Sequence, residues 1–61
     1  MNVDRVYNTV KEVFTDTSNI RDEYIIYLVG FEGLYILIEN DLLEPREVID
    51  GRQLYALSDR E

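Results

Sequence analysis

The groups in this chain that could carry chemistry are carboxylates and tyrosines. Thirteen of the 61 residues are Asp or Glu, and there is no His and no Cys. That removes imidazole and thiolate, the usual general base, nucleophile and transition-metal ligands. The densest carboxylate clusters are Asp22-Glu23 and Glu44 with Glu47. Such pairs can do general acid/base work when burial beside a substrate pushes one pKa up, and a domain this small has little interior in which to do so. Gly30-Phe31-Glu32-Gly33 is too short for a phosphate-cradling loop. The stretch from Asn40 to Asp50 lacks calcium-loop spacing and has Pro45 in its middle. The expectation is a protein that is not an enzyme, with no catalytic residue, metal site or cofactor.

Recognition is better represented. Residues 24–38 hold twelve apolar residues of fifteen, interrupted by one Glu and two Gly. Helices that apolar must be covered nearly all round, by the rest of the chain, a second copy or a partner protein. Phe31 and Tyr35 are the candidate anchors, flanked by Glu32 and Glu39. An aromatic centre with a charged rim is the usual composition of a binding hot spot. The competing reading makes both rings ordinary core residues.

Charge limits the choice of partner. Six Lys and Arg against thirteen acids leave a net charge of −7. Nucleic-acid binding draws much of its affinity from cations that displace counterions from phosphate, and anionic membranes also need cations. The acid excess therefore points to a protein partner with a basic surface, or serves solubility alone. The opening Met1-Asn2-Val3-Asp4-Arg5 lacks the apolar run of a leader, and the apolar middle is shorter than the roughly 20 residues of a membrane span. A cytoplasmic protein with no membrane contact is expected.

The elements that must position these residues fit one domain over 1–61. Val3, Val6, Tyr7, Val10, Val13 and Phe14 share one helical face, and Asn2 stands at the N-cap, so a helix is predicted over 3–15. The middle segment, 20–41, has two readings. One is a helix over 20–29 capped by Ser18 or Asn19, a tight Gly turn, and a helix over 32–41. The other is a hairpin across 23–39, which the β-branched and aromatic content favours. Pro45 is expected to stop what precedes it. Asp50-Gly51 predicts a type I′ turn in a hairpin over 46–57, and Ser58 to Glu61 reads as a polar tail.

The run Leu34 to Ser58 resembles the recognition helix and wing of winged-helix regulators, and most of all the MerR-type pattern. In that pattern a helix ends in Gly-Leu-Leu, followed by Pro, a basic residue, Gly, Arg and Tyr. Asp41-Leu42-Leu43, Pro45, Arg46, Gly51, Arg52 and Tyr55 stand at those places. The resemblance implies DNA binding, with Arg46 and Arg52 on phosphates. The chain departs from the family in the helix itself: Phe31 to Asp41 contains no Lys or Arg, has Tyr35 where a basic residue is common, and carries Glu32, Glu39 and Asp41. Arg46 and Arg52 also suit pairing with Glu44, Glu47 or Asp50 within the hairpin.

The fold expected is therefore α+β, a small winged-helix-like domain of three short helices and a C-terminal hairpin. The alternative is an N-terminal helix on a four-stranded antiparallel sheet. The function expected is a small acidic protein-interaction module in transcription control, such as an antirepressor, a phage-type inhibitor or a dimeric cofactor. Phe31, Glu32, Tyr35 and Glu39 would form its binding face. Direct DNA binding and a small assembly component are the other readings.

Overall fold

The computed structural model describes residues 2–58. Its elements run α1 (Val3–Val13), β1 (Ile20–Arg21), α2 (Asp22–Glu39), β2 (Leu43–Ile49) and β3 (Arg52–Leu57). The class is α+β, with a three-stranded antiparallel sheet in the order β1-β3-β2. Of the polar tail expected at 58–61, all but Ser58 lies outside the described residues.

α1 forms as its sequence dictates. The Asn2 side-chain oxygen accepts from the amides of Asp4 (2.8 Å) and Arg5 (3.2 Å), and Asp4 places negative charge in the first turn. Its buried face is Val6, Tyr7 and Val10. It stops at Val13, short of the expected 15, because Phe14 turns extended and sends its ring toward Tyr24, 6.3 Å between centroids. In the following loop the Asp16 carboxylate accepts from the Ser18 hydroxyl (2.6 Å) and amide (3.0 Å). Those two bonds favour the ionised form and hold the Asp16 pKa below its ordinary value.

The middle segment is helical, as the first reading has it, but it forms one helix broken at Gly30 in place of two separate ones. The described residues thus hold two helices and not three, and the hairpin reading is excluded. Residues 23–39 are helical, so no hairpin forms there and the sheet has three strands. The third strand is β1, at Ile20–Arg21, where the sequence predicts the start of a helix. Ile20 pairs with Tyr55 and Arg21 with Leu54, and Ile20 is buried by that pairing. α2 consequently begins at Asp22, and neither Ser18 nor Asn19 caps it. Arg21 stands at its N-cap without a side-chain bond, and the Asp22 carboxylate accepts from the Glu23 amide at 2.7 Å. The expected Gly turn shrinks to one residue: Gly30, at φ 76° and ψ 174°, breaks α2 into two halves. Each half buries a stripe, Ile25 in the first and Gly33, Leu34 and Leu37 in the second.

α2 ends in a Schellman motif. Leu42 N–H donates to Leu37 C=O (2.8 Å) and Asp41 N–H to Ile38 C=O (3.1 Å), with Asp41 in the left-handed region at φ 57°. This motif, and not Pro45, stops the helix. Pro45 lies inside β2, which begins at Leu43, three residues before the predicted hairpin. β2 is an edge strand, where a missing amide costs no ladder bond on the open side. The Asp50-Gly51 turn is as predicted, with both residues at positive φ (52° and 75°) between the paired Ile49 and Arg52. The register slips by one residue between Pro45 and Val48, and the Gln53 side-chain amide covers the gap by donating to Arg46 C=O and Leu54 C=O, each at 2.8 Å.

One core holds the layers together. Val6, Tyr7 and Val10 of α1 meet Ile25, Leu34 and Leu37 of α2, with Ile20, Leu42, Leu43 and Leu57 from the sheet and its approaches. Among the described residues no side-chain polar atom is buried without a hydrogen-bond partner.

Candidate functional site

The second half of α2 spends one side on the core, and what is left over forms the candidate site. With about 100° per residue, Phe31, Glu32, Tyr35, Ile38 and Glu39 fall within one arc of roughly 120°. Gly33, Leu34 and Leu37 occupy the opposite side, which is the buried one. Phe31 is 63% exposed and Tyr35 58%, and Glu32 and Glu39 are exposed as well. The structure thus brings all four predicted residues onto one solvent-facing surface, and the reading of the two rings as core residues does not hold. No Lys or Arg lies anywhere in α2. The face is aromatic at its centre and carries only negative charge.

The arginines of the C-terminal hairpin are differently placed. The Arg46 guanidinium lies 3.4 Å from the Glu44 carboxylate on the same strand. Arg52 reaches across to α2, where its guanidinium is 3.8 Å from Glu23. Arg21 approaches the same carboxylate at 3.5 Å. These are exposed pairs of small individual worth. Their consequence is one of placement: both hairpin arginines sit beside carboxylates, and β2, the turn and β3 together hold Glu44, Glu47 and Asp50 against two Arg. The partner of Arg52 was missed from the sequence because Glu23 is distant in the chain and meets Arg52 only through the pairing of β1 with β3.

The carboxylate clusters do not converge on a cleft. Asp22 bonds its neighbour's amide, Glu23 faces two guanidinium groups, and Glu44 and Glu47 are exposed on β2. Among the described residues no three acidic side chains are grouped closely enough to hold a metal ion.

A second exposed apolar region was not singled out from the sequence. Where α1 ends and α2 begins, Val13, Phe14, Tyr24, Tyr27 and Leu28 line a shallow depression. Tyr27 stands 87% exposed at its edge. The signal available in the sequence was the i, i+3, i+4 recurrence of Tyr24, Tyr27 and Leu28, which is indistinguishable there from a core stripe.

Among the described residues no helix is long and apolar enough to cross a membrane. Comparison with protein families, with curated proteins and with solved structures finds no match to this chain.

Proposed function

We propose that this chain is a small acidic protein-interaction module on a winged-helix-like scaffold, acting by binding rather than by catalysis. The observation that carries the reading is the exposed, cation-free face of Phe31, Glu32, Tyr35, Ile38 and Glu39. The scaffold reading rests on the element order, in which helix, short strand, broken helix and hairpin follow one another and the short strand pairs with β3. It also rests on Asp41, whose left-handed backbone occupies the place of the Gly in the MerR-type Gly-Leu-Leu. In that arrangement the second half of α2 is the recognition element and β2–β3 the wing.

A recognition element of this composition is repelled by phosphate and attracted by a basic protein surface. The module would work by occlusion. Phe31 and Tyr35 insert as anchors, while Glu32 and Glu39 pair with cations of the target, for example the DNA-binding face of a regulator. An antirepressor or inhibitor in transcription control, in the cytoplasm, is the role that fits.

Two measurements test this together. A gel shift with random duplex at low salt should show no retarded complex at micromolar protein, and a complex there overturns the reading in favour of direct DNA binding through Arg46 and Arg52. Affinity capture from the native host should retain a basic protein that the Phe31→Ala/Tyr35→Ala variant loses and that added salt weakens. Equal capture by the variant removes the face from the proposal.

A further inference from the structure

We infer that the exposed seam on the second half of α2 takes an amphipathic helix of its partner, one with Lys or Arg recurring every seven residues beside an apolar stripe. This rests on the protein-interaction reading above and names the form of the segment that docks.

Phe31, Tyr35 and Ile38 recur at spacings of four and three, so they fall within about 60° of one another around the helix. They are 63%, 58% and 38% exposed. This is the spacing of a coiled-coil seam, an apolar ridge that packs along a second helix. Glu32 and Glu39 stand seven residues apart on one flank of the seam, about 10 Å along the axis and within about 20° of the same direction. On the other flank Leu34 turns into the core. The surface therefore offers one apolar line with one acidic line beside it.

The acids choose the occupant. Among the described residues no Lys or Arg pairs with Glu32 or Glu39, whereas Glu23 and Glu44 hold the arginines of the sheet. A second copy docked seam to seam would bring its own acids to the contact, and phosphate or an anionic lipid surface would be repelled. A cationic protein segment is the complement.

The spacing then separates a helix from a strand. Two cations about 10 Å apart along a helix are seven residues apart and face the same way. In a strand, at about 3.3 Å per residue, that separation is three residues, and residues three apart point to opposite faces. A strand meets one of the two acids at a time, and an amphipathic helix meets both.

Three synthetic peptides test this on the full chain at low salt. The first is a helix with Leu at alternating spacings of three and four and Lys at seven-residue intervals beside them. The second has Glu for each Lys. The third keeps the Lys but carries a central Pro that breaks the helix. Fluorescence anisotropy gives Kd, and amide shifts give the site. The Lys helix is expected to move the amides of residues 31, 32, 35, 38 and 39, with the Pro peptide about tenfold weaker and the Glu helix not binding. Glu32→Lys/Glu39→Lys changes only exposed side chains, so it should keep its helical circular dichroism and reverse the preference in favour of the Glu helix. The comparison of Lys and Pro peptides on the wild type needs no variant to fold. A Pro peptide that binds residues 31–39 as tightly as the Lys helix overturns the helical partner and leaves the basic-partner reading standing. A Lys helix that leaves those amides unmoved at millimolar concentration, or a preference that the charge reversal does not invert, overturns both.

Discussion

Gly33 lies directly under Val29. A Cβ placed on Gly33 would stand 2.5 Å from the Val29 Cβ and 2.6 Å from a Val29 methyl. Four residues apart on a straight helix, side chains sit about 5–6 Å from one another. The break at Gly30 brings Val29 against Gly33 and leaves no room for any side chain at position 33. Gly33→Ala forces the two halves apart, and with Leu34 and Leu37 anchored in the core the strain has no cheap outlet. A loss of about 2–3 kcal/mol is expected, a large share of the stability of so small a domain. Urea unfolding followed by circular dichroism reads it directly.

Gly30 is required for a different reason. Nothing lies within 4 Å of where its Cβ would be, but its φ of 76° with ψ 174° is a conformation that side-chain-bearing residues avoid. Gly30→Ala should cost about 1–3 kcal/mol through backbone strain alone. It should also favour a straighter helix across the break, which would carry Tyr24 and Tyr27 into a new relation with the core. The expected signature is lower stability with no loss of helicity and with changed chemical shifts at Val29 and Phe31. Unchanged stability would show that the break is not held by this residue.

Asp41 runs the other way. It occupies the left-handed position of the Schellman motif, at φ 57°, where glycine carries no steric penalty. It also places a carboxylate at the negative end of α2. Asp41→Gly should stabilise the fold by about 0.5–1 kcal/mol, and Asp41→Asn should recover part of that by removing the charge alone. Thermal unfolding of the pair separates the backbone contribution from the electrostatic one.

What was legible in the sequence is what is decided locally. The α1 face, the Asn2 cap and the Asp50-Gly51 turn depend on local spacing and on side chains that satisfy their own backbone, so each could be read from the chain alone. The break at Gly30 was visible as a turn, but its one-residue length follows from the packing of Val29 on Gly33, a contact that no spacing rule encodes. β1 was missed because two residues carry no alternation, and Ile20-Arg21 becomes a strand only once β3 is beside it. The helix-or-hairpin choice for 23–39 was undecidable locally. Val, Ile and Tyr favour strands, and what overrides them is the burial of Ile25, Leu34 and Leu37 on two helical stripes. Phe31, Glu32, Tyr35 and Glu39 stand out in the sequence as two aromatic residues flanked by acids, and the structure leaves all four exposed on one sector of α2. The Tyr27 surface does not stand out, because an exposed stripe and a core stripe have the same period.

Asp16 gives the fold a measurable dependence on acid. Its carboxylate accepts two bonds from Ser18, from the hydroxyl above all and also from the amide, and these hold its pKa in the folded chain below the ordinary Asp value. A group whose pKa falls on folding binds fewer protons in the folded state, so it supports the fold above the unfolded value and ceases to as pH drops through the folded one. The window is therefore strongly acidic, below the ordinary Asp range, and the loop between α1 and β1 is indifferent to pH changes near neutrality on this account. Ser18→Ala removes the hydroxyl and leaves the amide bond, so the Asp16 carboxyl should titrate closer to the ordinary value, with the Ser18–Asn19 amides following it. Carbon-detected NMR titration of Asp16 in the two chains measures the difference, and equal midpoints would mean that the 2.6 Å hydroxyl contact contributes nothing in solution.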